Sequence, residues 1–453
     1  MEIVILAAGQ GTRMHSDLPK VLHPLAGKPL LGHVIECART LSPHNIHIVT
    51  GYGTEQVRAA VGDEGICWHL QEQQLGTGHA VQQALPGLSD EHVVLVLYGD
   101  VPLLEPATLQ RLLEGLSRCE LMLLSAEFEG VEGLGRIVRD ADGGVLRIVE
   151  QCEADPDTLA IREMNTGVLA ARAERLKQWL GQVGNDNTQQ EFYLTDCIEL
   201  AVEGGHRVEA MLCQDADAAL GVNDKAQLAQ AERACQRRAA RRMMDQGATL
   251  MDPARIDIRG ELQVGRDVEI DVNAVFEGQN RLGDGVRIGA NSVLINTTVG
   301  AGTWIHANSH IEEAEIGSEC RIGPFARIRP QTRLGDQVQV GNFVEIKKSG
   351  VGANSKVNHL SYLGDAELGA GVNVGAGTIT CNYDGAHKHR TVINDRVFVG
   401  SDTQLVAPVV VGEGATIAAG STITKDVPAE VLAVARSKQV TVQHWKRPEK
   451  DKK

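Results

Sequence analysis

Large rings are scarce. Aromatics are 3% of the 453 residues, and 49 Gly stand beside them. Few rings and many glycines predict that part of the chain is a narrow, regular β structure. An excess of positive charge is missing too: 44 Lys and Arg face 59 Asp and Glu, a net charge of −15, which excludes a general nucleic-acid binder. The basic end, from His444 to Lys453, is short and mixed in sign and reads as a frayed tail. The 9 cysteines are dispersed, with no C-x-x-C. Neither a disulfide framework nor a zinc site is expected, and the thiols read as reduced in a cytosol. No apolar run approaches membrane-spanning length. Strand residues begin at the N-terminus, so no signal peptide is expected and a cytoplasmic location is. What the chain does have is length for two or three domains and 43% hydrophobic residues, ample for folded cores.

Residues Ile3 to Lys20 organise the first half. The apolar run Ile3 to Leu6 has buried-strand character and ends in Ala7-Ala8-Gly9-Gln10-Gly11-Thr12. A strand entering a Gly-rich turn offers backbone N–H groups unobstructed by side chains, which is how chains cradle phosphates. Arg13 and Lys20 follow as candidate phosphate partners. The third position of a dinucleotide fingerprint is taken by Met14, and no P-loop match begins at Gly9. The run L-A-A-G-x-G-T-R-M-x5-P-K instead resembles the signature loop of the sugar-phosphate nucleotidyltransferases.

From Met1 to about Asn223, strand-like runs (Ile46 to Val49, Val93 to Leu97) alternate with helical spacing (Thr54 to Val61, Ala107 to Leu116). This predicts an α/β, Rossmann-like domain with a mostly parallel sheet and ligands at the carboxyl ends of its strands. Polar clusters fall at such ends: Gln71 with Gly76-Thr77, then Tyr98-Gly99-Asp100-Val101-Pro102-Leu103. A carboxylate placed there suits Mg²⁺ against phosphates; an Asp in that position is also a common turn or N-cap residue. Gly135-Arg136-Ile137, Glu150, Asn165-Thr166-Gly167 and Gly221-Val222-Asn223 follow, each of which alone could be a turn. Resemblance to the nucleotidyltransferases implies that Leu6, Ala7, Ala8, Gly9, Lys20, Tyr98 and Gly99 line the nucleotide site. It also implies that Gln71, Gly76 and Thr77 contact uracil, that Gly135, Glu150 and Asn165 contact the sugar, and that Asp100 and Asn223 hold Mg²⁺. The implied chemistry is direct displacement at the α-phosphorus of UTP, with Arg13 and Lys20 offsetting charge on the departing pyrophosphate.

The stretch 224–250 is rich in helix formers, free of Pro up to Gly247, and reads as a connecting helix between domains at 1–223 and 251–453. Its cluster Arg237, Arg238, Arg241 and Arg242 reads as a solvated face. From about Val264 an aliphatic residue recurs at multiples of six, unbroken from Ile316 through Ile322, Ile328, Leu334 and Val340 to Ile346. This is the hexapeptide repeat of a parallel β-helix, each aliphatic filling a thin core and the small residue after it permitting the corner. Gly377 to Arg396 interrupts the period and reads as a functional loop.

His359 follows an aliphatic hexad position and is expected to face outward, where an imidazole can take a proton from an attacking amine. Arg329, Lys347, Tyr362 and Asn373 stand around it as an anchor set for a sugar phosphate. The segment from R-I-R-P through N-H-L-S-Y-L-G-D to T-I-T-C-N-Y-D-G resembles the bacterial bifunctional N-acetylglucosamine-1-phosphate uridylyltransferase/glucosamine-1-phosphate acetyltransferases. That resemblance covers nearly the whole chain. It implies a left-handed β-helix, homotrimers, His359 as the acetyl-transfer base, and Arg329, Lys347, Tyr362 and Asn373 on glucosamine-1-phosphate. Ala376, Asn382, Tyr383, Ser401, Ala419 and Arg436 are then the acetyl-CoA contacts. The implied product, UDP-N-acetylglucosamine, serves peptidoglycan and lipopolysaccharide synthesis. Two alternatives remain at this point: a sugar nucleotidyltransferase of another specificity whose β-helix only oligomerises, and a non-enzymatic trimeric scaffold.

Overall fold

The computed structural model describes residues 1–128, 133–448 and 450; the tail reading at Glu449 and at Asp451 to Lys453 lies outside them. The chain forms two compact units, Met1–Cys235 and Gln236–Lys453, and the division falls inside the helix Lys225–Asp245.

Unit 1 is built on a sheet of nine strands. Its main path comprises β1 (Glu2–Ala7), β2 (Ile46–Thr50), β3 (Ile66–Leu70), β4 (Val93–Tyr98), β5 (Leu121–Glu127), β6 (Glu163–Arg172) and β7 (Val208–Leu212). Their order across the sheet is β7-β5-β6-β4-β1-β2-β3. Along this path the sheet is parallel as expected except at β6, which runs antiparallel to both β4 and β5; off the path, the strands Arg136–Arg139 and Val145–Val149 pair antiparallel to each other. Along β1, Ile3, Ile5 and Ala7 enter one core while Val4 and Leu6 enter the other. A strand buried on both faces reads as an unbroken apolar run for that reason. Each such side chain contributes on the order of 1.5–3 kcal/mol. The chain leaves β1 toward β2 and β3 on one side, then returns to β4 on the other. The crevice where strand order reverses lies at the carboxyl ends of β1 and β4, where the sequence places Ala7 to Gly11 and Tyr98 to Asp100.

The opposite end of the sheet holds a buried polar chain. His47 Nδ1 lies 2.9 Å from His69 Nε2, and Glu2 accepts from the Ser89 N–H at 3.0 Å. Burial pushes both imidazoles below their ordinary range; for His47 the His69 ring adds to this and Glu2 opposes it. The unfolded chain therefore takes up protons that the folded one refuses, and stability falls as pH drops below the unfolded histidine value of about 6.5. Urea midpoints of unit 1 unfolding should fall between about pH 7 and pH 5. His69→Gln should flatten that dependence; an unaltered slope would remove this pair as its source.

Unit 2 consists of an 11-stranded and a 17-stranded parallel sheet of mostly two- to four-residue strands. The hexad aliphatics form ladders such as Ile305–Ile322–Val340–Val357–Val374–Val399–Ile417, one residue from each coil stacked on the next. All are buried. The small residue after the aliphatic is required by proximity: a Cβ on Gly341 would run into the Asn358 backbone. The interruption is shorter than the sequence implies. Ile379–Cys381 and Thr391–Ile393 remain in the ladder, so only Asn382 to Arg390 leaves the solenoid.

Candidate active sites

In unit 1 a cavity of about 520 Å³ opens at the strand-order reversal. Its lining includes Leu6, Ala7, Ala8, Gly9, Arg13, Lys20, Gln71, Gly76, Thr77, Tyr98, Asp100, Gly135, Glu150, Asn165 and Asn223. These residues come from seven separated stretches of sequence, counting Leu6 to Lys20 as one, and the fold brings them to one crevice. Gly99 is not in the lining; its N–H is spent on the Leu6 carbonyl at 2.9 Å.

Local sequence explains the placement. Gly11 has φ 69°, and a Cβ there would strike the Lys20 side chain, so glycine lets Lys20 cross the turn and reach the floor. Lys20 Nζ pairs with the Asp100 carboxylate and donates to Asn223 Oδ1 at 3.1 Å. A carboxylate and an amide oxygen thus already converge on one positive charge. Two hard oxygens around a cation are the donor set that suits Mg²⁺, so these residues fit the implied ion.

Gln71 is buried and donates from Nε2 to the Gly76 carbonyl at 3.1 Å. Gly76 has φ 107°, and a Cβ there would collide with the Phe192 carbonyl. Between Asn165 and Leu169 the β6 register shifts, so the chain bulges just after Asn165, and Asn165, Thr166 and Gly167 line the cavity there. Tyr98 is half-buried beneath, its hydroxyl pushed up by desolvation and then by Glu150 and Asp100. Burial also raises Glu150, which accepts from Thr195 Oγ1 at 2.9 Å. Nearby, burial together with Glu153, Glu150 and Glu199 pushes Asp196 up to about 6.

Sequence reasoning missed Gln74, Glu191, Thr195 and Gln227 in this lining. Gln74 donates to the Ala8 carbonyl at 2.8 Å, pinning the Gly-rich turn from across the sheet. No local motif marks any of the four.

In unit 2, His359 ends the strand Lys356–His359 and is exposed. Its Nδ1 lies 3.3 Å from Asn342 Oδ1. An amide oxygen only accepts, so in the neutral ring it selects the tautomer with the hydrogen on Nδ1 and the lone pair on Nε2. Asn342 is a further omission of the sequence reading; it stands beside His359 in the preceding coil. The corner then continues by backbone hydrogen bonds: Gly377 N–H to His359 O, Asp402 N–H to Ala376 O, and Gly420 N–H to Ser401 O. His359, Ala376, Ser401 and Ala419 therefore form one column. Arg436 donates to the Ala419 carbonyl at 2.6 Å. With coils about 4.8 Å apart, the column is a track of small residues about 14 Å long, with an imidazole at one end and a guanidinium at the other.

Arg329 pairs with Glu345 at 2.7 Å, and Glu345 stands opposite Tyr362 in the ladder. Lys347 lies two positions on, opposite Gly364. The Lys388 ammonium beside Lys347, with Arg329 further off, holds Lys347 below the usual lysine range. Lysine 388, also missed, sits on the excursion that carries Asn382 and Tyr383, where Tyr383 and Lys388 form a bridge. Three cations crowded this way suit a phosphate dianion. Asn373 lies on the adjoining face, opposite Lys356.

Against known proteins, residues 3–186 match the MobA-like NTP transferase domain, 258–365 the GMPPB C-terminal domain, and 390–425 the bacterial transferase hexapeptide of six repeats. The chain is 57% identical over 452 residues to the bifunctional protein GlmU of Azoarcus sp. (strain BH72), with both chains covered completely. To the protein of that name from Cupriavidus metallidurans (strain CH34) it is 58% identical over 455 residues, again over the whole of both. With that of Bordetella parapertussis (strain 12822) it shares 56% over 455 residues, covering 99% of each.

Proposed function

This chain belongs to the bifunctional GlmU family, and from that premise we propose that unit 2 acetylates glucosamine-1-phosphate and unit 1 then joins the product to UTP. The acetyl donor is acetyl-CoA, and the final products are UDP-N-acetylglucosamine and pyrophosphate. The observation that carries the reading is the convergence of Arg13, Lys20, Asp100 and Asn223 on one cavity. The acetyl-transfer half rests on the separate constellation in unit 2, His359 at the head of its small-residue track.

In unit 1, a phosphate oxygen of N-acetylglucosamine-1-phosphate attacks the α-phosphorus of UTP, and the bond to the β-phosphate breaks. Gln71, Gly76 and Thr77 hold the base, while Gly135, Glu150 and Asn165 hold the sugar. Arg13 and Lys20 neutralise charge on the departing pyrophosphate. Asp100 and Asn223 would hold Mg²⁺, which supplies charge neutralisation and alignment of the triphosphate. In unit 2, Arg329, Lys347, Tyr362 and Asn373 anchor the amino sugar phosphate. The amine attacks the thioester carbon, His359 takes its proton, and the carbon–sulfur bond breaks. Ala376, Asn382, Tyr383, Ser401, Ala419 and Arg436 hold acetyl-CoA along the corner.

Assembly as a homotrimer is part of this reading. Its support is an exposed apolar edge beside His359, formed by the stacked rings of Phe325 and Phe343 and by Leu360; a second copy of the chain is the partner that would cover it. Among the described residues no helix is long and apolar enough to cross a membrane. A cytoplasmic setting fits cysteines that form no disulfide among the described residues, and it fits the two co-substrates.

The test is thiol release from acetyl-CoA by the purified chain, with and without glucosamine-1-phosphate, paired with pyrophosphate release from UTP and N-acetylglucosamine-1-phosphate. Release in both assays, each dependent on its sugar, is expected. Pyrophosphate release without any sugar-dependent thiol release would reduce unit 2 to a scaffold.

A further inference from the structure

We propose that Asp365, which no feature of the reading above employs, is a positioning residue for acetyl transfer that turns the oxygen of the Asn382 amide toward the reacting groups. The proposal rests on the acetyltransferase reading of unit 2. Asp365 occupies a coil corner with φ 49°, held by its N–H to the Lys347 carbonyl at 3.1 Å and by the Thr391 N–H to its own carbonyl at 3.2 Å. The side chain is only 9% exposed. Its Oδ2 accepts from Asn382 Nδ2 at 2.6 Å, and its Oδ1 lies 3.6 Å from Lys348 Nζ. Three segments thus meet at one carboxylate: the corner at Lys347 and Lys348, the corner at Asp365 itself, and the start of the excursion at Asn382.

The chemistry follows from what each group can do. A carboxylate only accepts, so the NH₂ of Asn382 must face it and Oδ1 must turn away. Asn382 is itself buried, so the amide is not free to rotate in solvent. Among the described residues no group donates to Asn382 Oδ1. Tyr362 shares the location: a Cβ on Gly364 would meet both the Tyr362 hydroxyl and Asn382 Nδ2, so the absent side chain keeps the two together. An attacking amine carries two N–H groups. During transfer the N–C bond forms, the C–S electron pair leaves on sulfur, and one amine proton passes to His359. The other N–H needs an acceptor that aims the nitrogen lone pair at the thioester carbon, and Asn382 Oδ1 is that acceptor.

The experiment uses the full chain and measures acetyl transfer, with uridylyl transfer and melting temperature as controls of folding. Asp365→Ala should lower kcat about 10- to 100-fold, as loss of a group that orients a ligating or reacting side chain does, with the KM for acetyl-CoA within about threefold. Asp365→Asn, which can still turn an oxygen toward the Asn382 NH₂, should recover most of that kcat even if the alanine variant folds poorly. Lys348→Met, which removes only the partly exposed ion pair, should keep kcat within about twofold. An Asp365→Ala enzyme with unchanged kcat, an Asp365→Asn enzyme well below wild type, or equal losses in Lys348→Met would each overturn the proposal while leaving the acetyltransferase reading intact. A wild-type chain without sugar-dependent thiol release would overturn both.

Discussion

Replacing Asp100 by alanine is expected to lower uridylyl transfer by about a thousandfold, the upper range for removal of one preorganised charge-stabilising group. Acetyl transfer should stay within about twofold of wild type, as expected when a substitution touches no part of that site. The carboxylate emerges directly from β4, and its position is fixed twice: the Gly99 N–H holds the strand end to the Leu6 carbonyl, and the Val222 N–H donates to the Asp100 carbonyl at 2.9 Å. That second bond ties Asp100 to the segment bearing Asn223. Alanine removes one of two oxygens that converge there and leaves the Lys20 ammonium with Asn223 Oδ1 alone. Lys20 and Asp100 are mostly buried, so some stability is lost as well. Asp100→Asn separates the effects, because it keeps the shape and an oxygen but removes the charge, and it should be nearly as inactive. The measurement is pyrophosphate release against thiol release from the same preparations. Uridylyl transfer that survives in both variants would remove Asp100 from the site, and loss of both activities in a folded protein would contradict two separate centres.

Much of this arrangement is legible in the sequence because it is local. The run from Ile3 to Lys20 holds a strand, a turn and two cations within a few residues, and the structure brings them to the cavity. The six-residue period names the core of unit 2 residue by residue, since each aliphatic has only its counterparts in neighbouring coils to pack on. What escaped reading depends on contacts between distant segments. Gln74 reaches back to the Ala8 carbonyl, and Thr195 reaches Glu150, through sheet order rather than through any motif. The antiparallel β6 is equally silent: its apolar run reads the same in either direction, and only the pairing reveals the bulge after Asn165 that brings Thr166 and Gly167 to the cavity. In unit 2 the period places residues on the solenoid but says little about where the excursion returns. Lys388 and Asp365 therefore gain meaning only once Asn382 to Arg390 is seen folded back over the coil.

His359→Ala is the second large effect, and it should be the mirror image of the first. Proton removal by a positioned base contributes about 10²- to 10⁴-fold, and kcat for acetyl transfer should fall by that amount. The KM for both substrates should change little, because the anchor set and the small-residue track are left in place. Uridylyl transfer should be untouched. The geometry favours one nitrogen as the base. Asn342 Oδ1 engages Nδ1, which leaves Nε2 to receive the proton, and His359 heads the column along which the acetyl donor is proposed to lie. The side chain is exposed, and the aliphatic Val357 two residues earlier carries the buried ladder, so alanine should not unfold the coil. His359→Gln tests the nature of the contribution. Glutamine can keep a polar group near the amine but cannot accept a proton as an imidazole does, so it should be as slow as alanine. A glutamine variant near wild-type rate would mean that His359 only orients the amino sugar, and the base would have to be sought elsewhere along the same corner.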